Sequence, residues 1–63
     1  MTMDEMLIED WKKLIGNTVL VKIEGHQPID VIVNKIAPQS KYVELMGKGW
    51  FHIDQLELIE VIG

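Results

Sequence analysis

Two residue types are missing from these 63 residues altogether, cysteine and arginine. Without cysteine there is no disulfide, no thiolate metal ligand and no thiol nucleophile. Without arginine the chain lacks the planar fork that grips phosphates two oxygens at a time. Six lysines stand against ten acidic residues, a net charge of −4, which argues against a protein that tracks a double-stranded phosphate backbone. Serine is nearly absent too, and Ser40 sits in a turn sequence. Catalysis needs a nucleophile beside its base, or two carboxylates in one pocket. No such set is legible, so the chain reads as not an enzyme. His26 and His52 lack the helical or hairpin spacing of a metal pair, and neither metal nor cofactor is expected. No apolar run approaches the roughly 20 residues that cross a bilayer. The opening Met1-Thr2-Met3-Asp4-Glu5-Met6 is acidic where a secretory leader is basic. The expectation is a cytoplasmic protein with no membrane partner.

What is present in quantity is aliphatic side chain. Hydrophobic residues make up 48% of the chain, with six valines and nine isoleucines among them. A single domain of this length buries only about 60% of the surface its unfolded form exposes. It lacks the disulfides and metals that usually reinforce small scaffolds. Part of the apolar surface is therefore expected to meet a second copy or another partner.

The pattern along the chain changes period once. Met3, Leu7, Trp11 and Leu14 recur with helical spacing, predicting a helix over about 3–15 that docks through those four residues. Thr2 and Glu5 fit a capping box, and Gly16 fits a left-handed C-terminal residue. From Thr18 the alternation is that of strands. Val19, Val21 and Ile23 share one face of Thr18–Glu24, and Gly25-His26-Gln27-Pro28 is turn chemistry. Ile29–Ile36 reads as a long bent strand. Lys41–Met46 is a short strand with Tyr42, Glu44 and Met46 opposite Val43 and Leu45. Gly47-Lys48-Gly49 turns the chain into Trp50–Ile53, a 3₁₀ turn fits Asp54–Leu56, and Leu58–Ile62 is the last strand. The fold class expected is mainly β: an N-terminal helix followed by a five-stranded antiparallel small barrel over about 18–62, in one domain. Five short strands bury both faces of a sheet only by curling.

This order of elements, with Val19–Gly25, the long strand Ile29–Ile36, Tyr42–Leu45 and Trp50–Ile62, resembles the Sm-like family of SH3-like small barrels, which includes a bacterial RNA chaperone. The resemblance covers nearly the whole chain, and Gly25 is the residue that matches its first signature. It implies ring assembly, in which the fourth strand of one copy pairs with the fifth strand of the next. The family's RNA loop carries an Asp and an Asn, whereas Ala37-Pro38-Gln39-Ser40-Lys41 offers neither. The second signature, usually basic, here reads Phe51-His52-Ile53-Asp54.

The function expected is a non-enzymatic binding module that self-associates, a closed ring being favoured over a dimer. Phe51 and Ile53 on one edge strand and Ile59 and Val61 on the other are the candidate oligomer contacts. Tyr42, Lys41, Trp50 and His52 are the candidate binding residues, since Tyr42 sits near the family's stacking position and an exposed Trp50 would anchor a partner. A rim or core role is the alternative for each ring. One rival reading is a single-stranded RNA binder using Tyr42 with Lys35, Lys41 and Lys48. Another is an acidic mimic of nucleic acid that blocks a basic protein. Charge balance and the altered loop predict weak or no RNA binding.

Overall fold

The structure is a computed structural model and describes residues 6–63. Its only α-helix among these, α1, spans Ile8–Lys12, shorter than the helix expected over 3–15. Thr2, Met3 and Glu5 lie outside the described residues. Leu7 is extended at φ −83° and ψ 160° and is the residue before the first turn. Its N–H donates to Asp10 Oδ2 at 3.0 Å, so the cap comes from a carboxylate reaching back from the third helical position. Starting after Leu7 changes which side chains form the stripe. Ile8, Trp11 and Leu14 face the core, while Leu7, expected to dock, is 66% exposed. Trp11 is 1% exposed, and its burial against the sheet holds a helix far too short to persist alone.

Five strands follow: β1 (Thr18–Ile23), β2 (Ile29–Ala37), β3 (Tyr42–Leu45), β4 (Gly49–His52) and β5 (Leu56–Val61). A 3₁₀ turn at Ile53–Gln55 joins the last two. Ile53, expected to end β4, belongs to that turn, and β5 begins two residues earlier than Leu58. All pairings are antiparallel, in the order β4-β3-β2-β1-β5. The sheet is not closed: β4 and β5 are its edges.

β2 organises the sheet by serving two neighbours in succession. Its first half pairs with β1 (Val31 opposite Val19) and its second half with β3 (Ile36 opposite Val43). The register shifts between Val33 and Lys35, and an extra residue at such a point bends a strand. There the connector from α1 takes over as neighbour. Gly16 N–H donates to the Val33 carbonyl at 2.8 Å, and Val33 N–H donates to the Asn17 carbonyl at 3.1 Å. Gly16 makes this possible at φ +89°, a region that L side chains enter only at a cost.

The core is Trp11 with Val19, Val21, Ile23, Val31, Val33, Val43 and Leu45, every strand member on the phase that alternation assigns. No polar or charged side chain is buried among the described residues. The extents of 25 × 23 × 23 Å are nearly equal, as for a sheet bent around its core.

Candidate functional site

The outward face of β3 and β4 is built by register. The chain turns through Gly47 and Gly49, both at positive φ, with Lys48 N–H donating to the Leu45 carbonyl at 2.8 Å. That turn sets Glu44 opposite Trp50 and Tyr42 opposite His52. Since Val43, Leu45 and Phe51 point inward, these four side chains share the other face. Tyr42 and His52 meet edge to face, with ring centroids 5.3 Å apart and planes at 88°, a favoured aromatic geometry. Trp50 is 47% exposed, and Tyr42 and Met46 are exposed beside it. The two tryptophans thus part company: Trp11 is core and Trp50 is surface.

Charge on this face is arranged around Glu44. Asn34 Nδ2 donates to Glu44 Oε1 at 3.0 Å, and Lys35 lies opposite Glu44 on β2. Lys41 stands at the margin, just before β3, with φ +62°; its carbonyl accepts the Ile53 N–H at 3.0 Å. His52 also works locally. Its Nδ1 accepts the Asp54 N–H at 3.1 Å and its own N–H donates to Gln55 Oε1 at 3.2 Å, a reciprocal cap on the 3₁₀ turn. An acceptor Nδ1 places the proton of the neutral ring on Nε2, and Asp54 Oδ2 lies 3.6 Å from Nδ1.

Of the residues singled out from sequence, Tyr42, Trp50 and His52 come together on one face, with Lys41 at its border. Glu44, Asn34 and Lys35 complete the face; strand alternation placed Glu44 on it, while the register of β2 against β3 was needed for the other two. The edge residues divide. Phe51 faces inward opposite Val43, and Ile53 packs on the core from the 3₁₀ turn. On β5, Leu56 and Leu58 pack inward, whereas Ile59 is 49% exposed and Val61 is likewise open, as is Ile62 just past the strand. Ile59 is the extra residue where the register against β1 shifts: Leu58 faces Val21 and Glu60 faces Leu20.

No three His, Asp or Glu side chains among the described residues converge as a metal site requires. No helix among them is long and apolar enough to cross a membrane. Comparison with family models, curated proteins and solved structures found no match for this chain.

Proposed function

We propose that this chain is a non-enzymatic binding module, a small barrel of Sm-like type that assembles edge to edge into a closed ring. One observation carries the reading: the sheet is open, and its β5 edge leaves Ile59 and Val61 exposed. Natural edge strands are blunted by charges, proline or bulges; Leu56–Val61 contains no lysine or proline, and its bulge at Ile59 and the carboxylates of Glu57 and Glu60 leave two aliphatic side chains open. The strand β4, Gly49-Trp50-Phe51-His52, is equally bare of lysine and proline. Pairing β4 of one copy with β5 of the next satisfies both edges and covers Ile59 and Val61. Because the two surfaces differ, the contact is heterologous and closes into a ring or runs on as a filament; like charge on every copy opposes the filament. The strand order and the long, bent β2 support the small-barrel part of the reading. Sedimentation velocity tests the assembly. The wild type sediments as an oligomer, and Val61→Lys, which places a charge on the edge, sediments as monomer with lower thermal stability. A wild type that stays monomeric at high micromolar concentration overturns the proposal.

A second reading has its own observation. Lys35 and Lys41 border the aromatic face and Lys48 stands in the turn before Trp50, against the two acids Glu44 and Asp54. Exposed rings among lysines suit single-stranded RNA, whose bases stack while its phosphates meet the ammonium groups. Binding of oligo-U that weakens as salt rises and is lost in Tyr42→Ala supports this reading. Absence of binding at physiological salt removes it.

A further inference from the structure

Between the tips of the β1–β2 and β3–β4 hairpins lies a cleft of about 280 Å³ lined by Ile23, His26, Ile29, Lys48 and Phe51. Its floor is apolar. Ile23 is buried, and Ile29 and Phe51 are half-buried on the inward face of the sheet. Its rim carries His26 from the β1–β2 turn and Lys48 from the β3–β4 turn, both exposed. No carboxylate lines it, although the chain has ten acidic residues against six lysines. Of the two acids next to lining residues in sequence, Asp30 stands opposite Leu20 on the outward phase, and Glu24 opens onto a separate cleft with Lys22, Asp54, Gln55, Leu56 and Glu57. Glu24, Asp54 and Glu57 thus share one cleft with Lys22, and a separate apolar hollow carries Lys48 and His26 on its rim.

Ligand sites combine an apolar lining with a few placed polar groups that fix orientation. Here the polar groups are nitrogen donors, so the complementary ligand joins an apolar body to an anion. The volume falls below the roughly 300–1,000 Å³ of drug-sized sites, which limits that body to a short alkyl chain or a single ring. We propose that this cleft binds a small amphiphilic carboxylate, its tail against Ile29 and Phe51 and its carboxylate meeting the Lys48 ammonium, with His26 as a second donor. A charge-assisted contact to Lys48 supplies the selectivity, and the buried apolar tail supplies most of the affinity. The cleft lies between hairpin tips, so the proposal does not depend on ring assembly.

Amide NMR titration of the whole chain tests it, with octanoate, octanol and octylammonium as probes. Octanoate gives saturable shifts at Ile23, Lys48 and Phe51; octanol binds about tenfold more weakly, and octylammonium more weakly still. Lys48→Glu, a change in an exposed turn, reverses the order of octanoate and octylammonium. His26→Gln weakens octanoate by a smaller factor. If Lys48→Glu fails to fold, Lys48→Gln is expected to bring octanoate down to the affinity of octanol. The proposal is overturned by any of three results: no saturable shift up to about 10 mM octanoate, equal affinity for octanol, or unchanged octanoate binding in the folded Lys48 variant.

Discussion

The inner strands β1–β3 and the edge strands β4 and β5 are both rich in apolar side chains, yet they end in opposite states. Every fully buried strand residue lies on β1, β2 or β3, and none lies on β4 or β5. Val21 on β1 has Ile29 on one side and Leu58 on the other, whereas Ile59 and Val61 have a neighbour strand on one side alone. A side chain on a pleated sheet is covered by its cross-strand neighbours as much as by the layer beneath it. Removing one neighbour strand leaves a valine or isoleucine half in water whatever its propensity. The difference teaches that the exposed aliphatics of β5 follow from position in the sheet, and that a second strand laid along that edge is what would cover them.

The largest effect that sharpens this contrast comes from the residue under the inner strands. Trp11→Ala removes a 1%-exposed indole and is expected to cost about 3–5 kcal/mol, enough to unfold so small a domain. Circular dichroism at 25 °C checks it. A folded variant losing less than about 1 kcal/mol would show that the core does not depend on the helix.

A matched pair tests the contrast directly. Leu45→Ala, on β3, is expected to cost about 2–5 kcal/mol, while Ile59→Ala on the β5 edge costs under about 1 kcal/mol in the monomer. Denaturant titrations at low protein concentration measure both. Equal losses would erase the distinction between inner and edge strands.

Gly16→Ala is expected to cost about 1–2 kcal/mol, because the φ of +89° is what lets residues 16 and 17 pair with Val33. No atom lies within 4 Å of an added Cβ, so the loss is one of backbone conformation and not of crowding. A stabilised variant in thermal melts would mean that the connector adopts another conformation in solution.

The smallest effect is expected at the aromatic face. Asn34→Ala removes one half-exposed hydrogen bond to Glu44 and is expected to cost about 0.5–1.5 kcal/mol. Trp50→Ala is expected to change monomer stability by no more than about 0.5 kcal/mol, against the several lost at Trp11. A large loss at Trp50 would place that ring in the fold and not on a binding surface.

Much of this was legible residue by residue. Val19, Val21 and Ile23, and likewise Val43 and Leu45, alternate as written and bury as alternation requires, because the strand period is two wherever the strand ends. Gly16, Gly25, Gly47 and Gly49 mark the turns because positive φ selects them. Tyr42 and Glu44 were assigned their phase in the same way, whereas Trp50 was left between core and surface until the register of β4 against β3 placed it. The start of the helix was not legible. Leu7 and Ile8 are both apolar, and a stripe through Leu7, Trp11 and Leu14 is as regular as one through Ile8, Trp11 and Leu14. Asp10 capping Leu7 decided between them.

The sequence by itself determined the local phases: which side chains share a strand face and where the chain turns. Those depend on dihedral preferences and on spacings of a few residues, which a linear reading contains. Only the tertiary structure decided that Ile53 leaves the strand for a 3₁₀ turn, that β5 bulges at Ile59, and that Ile23, Ile29, Lys48 and Phe51 surround one cleft. These depend on strand order and on the handover of β2 from β1 to β3 between Ile32 and Val33, where residues distant along the chain become neighbours through hydrogen bonds that no local spacing encodes.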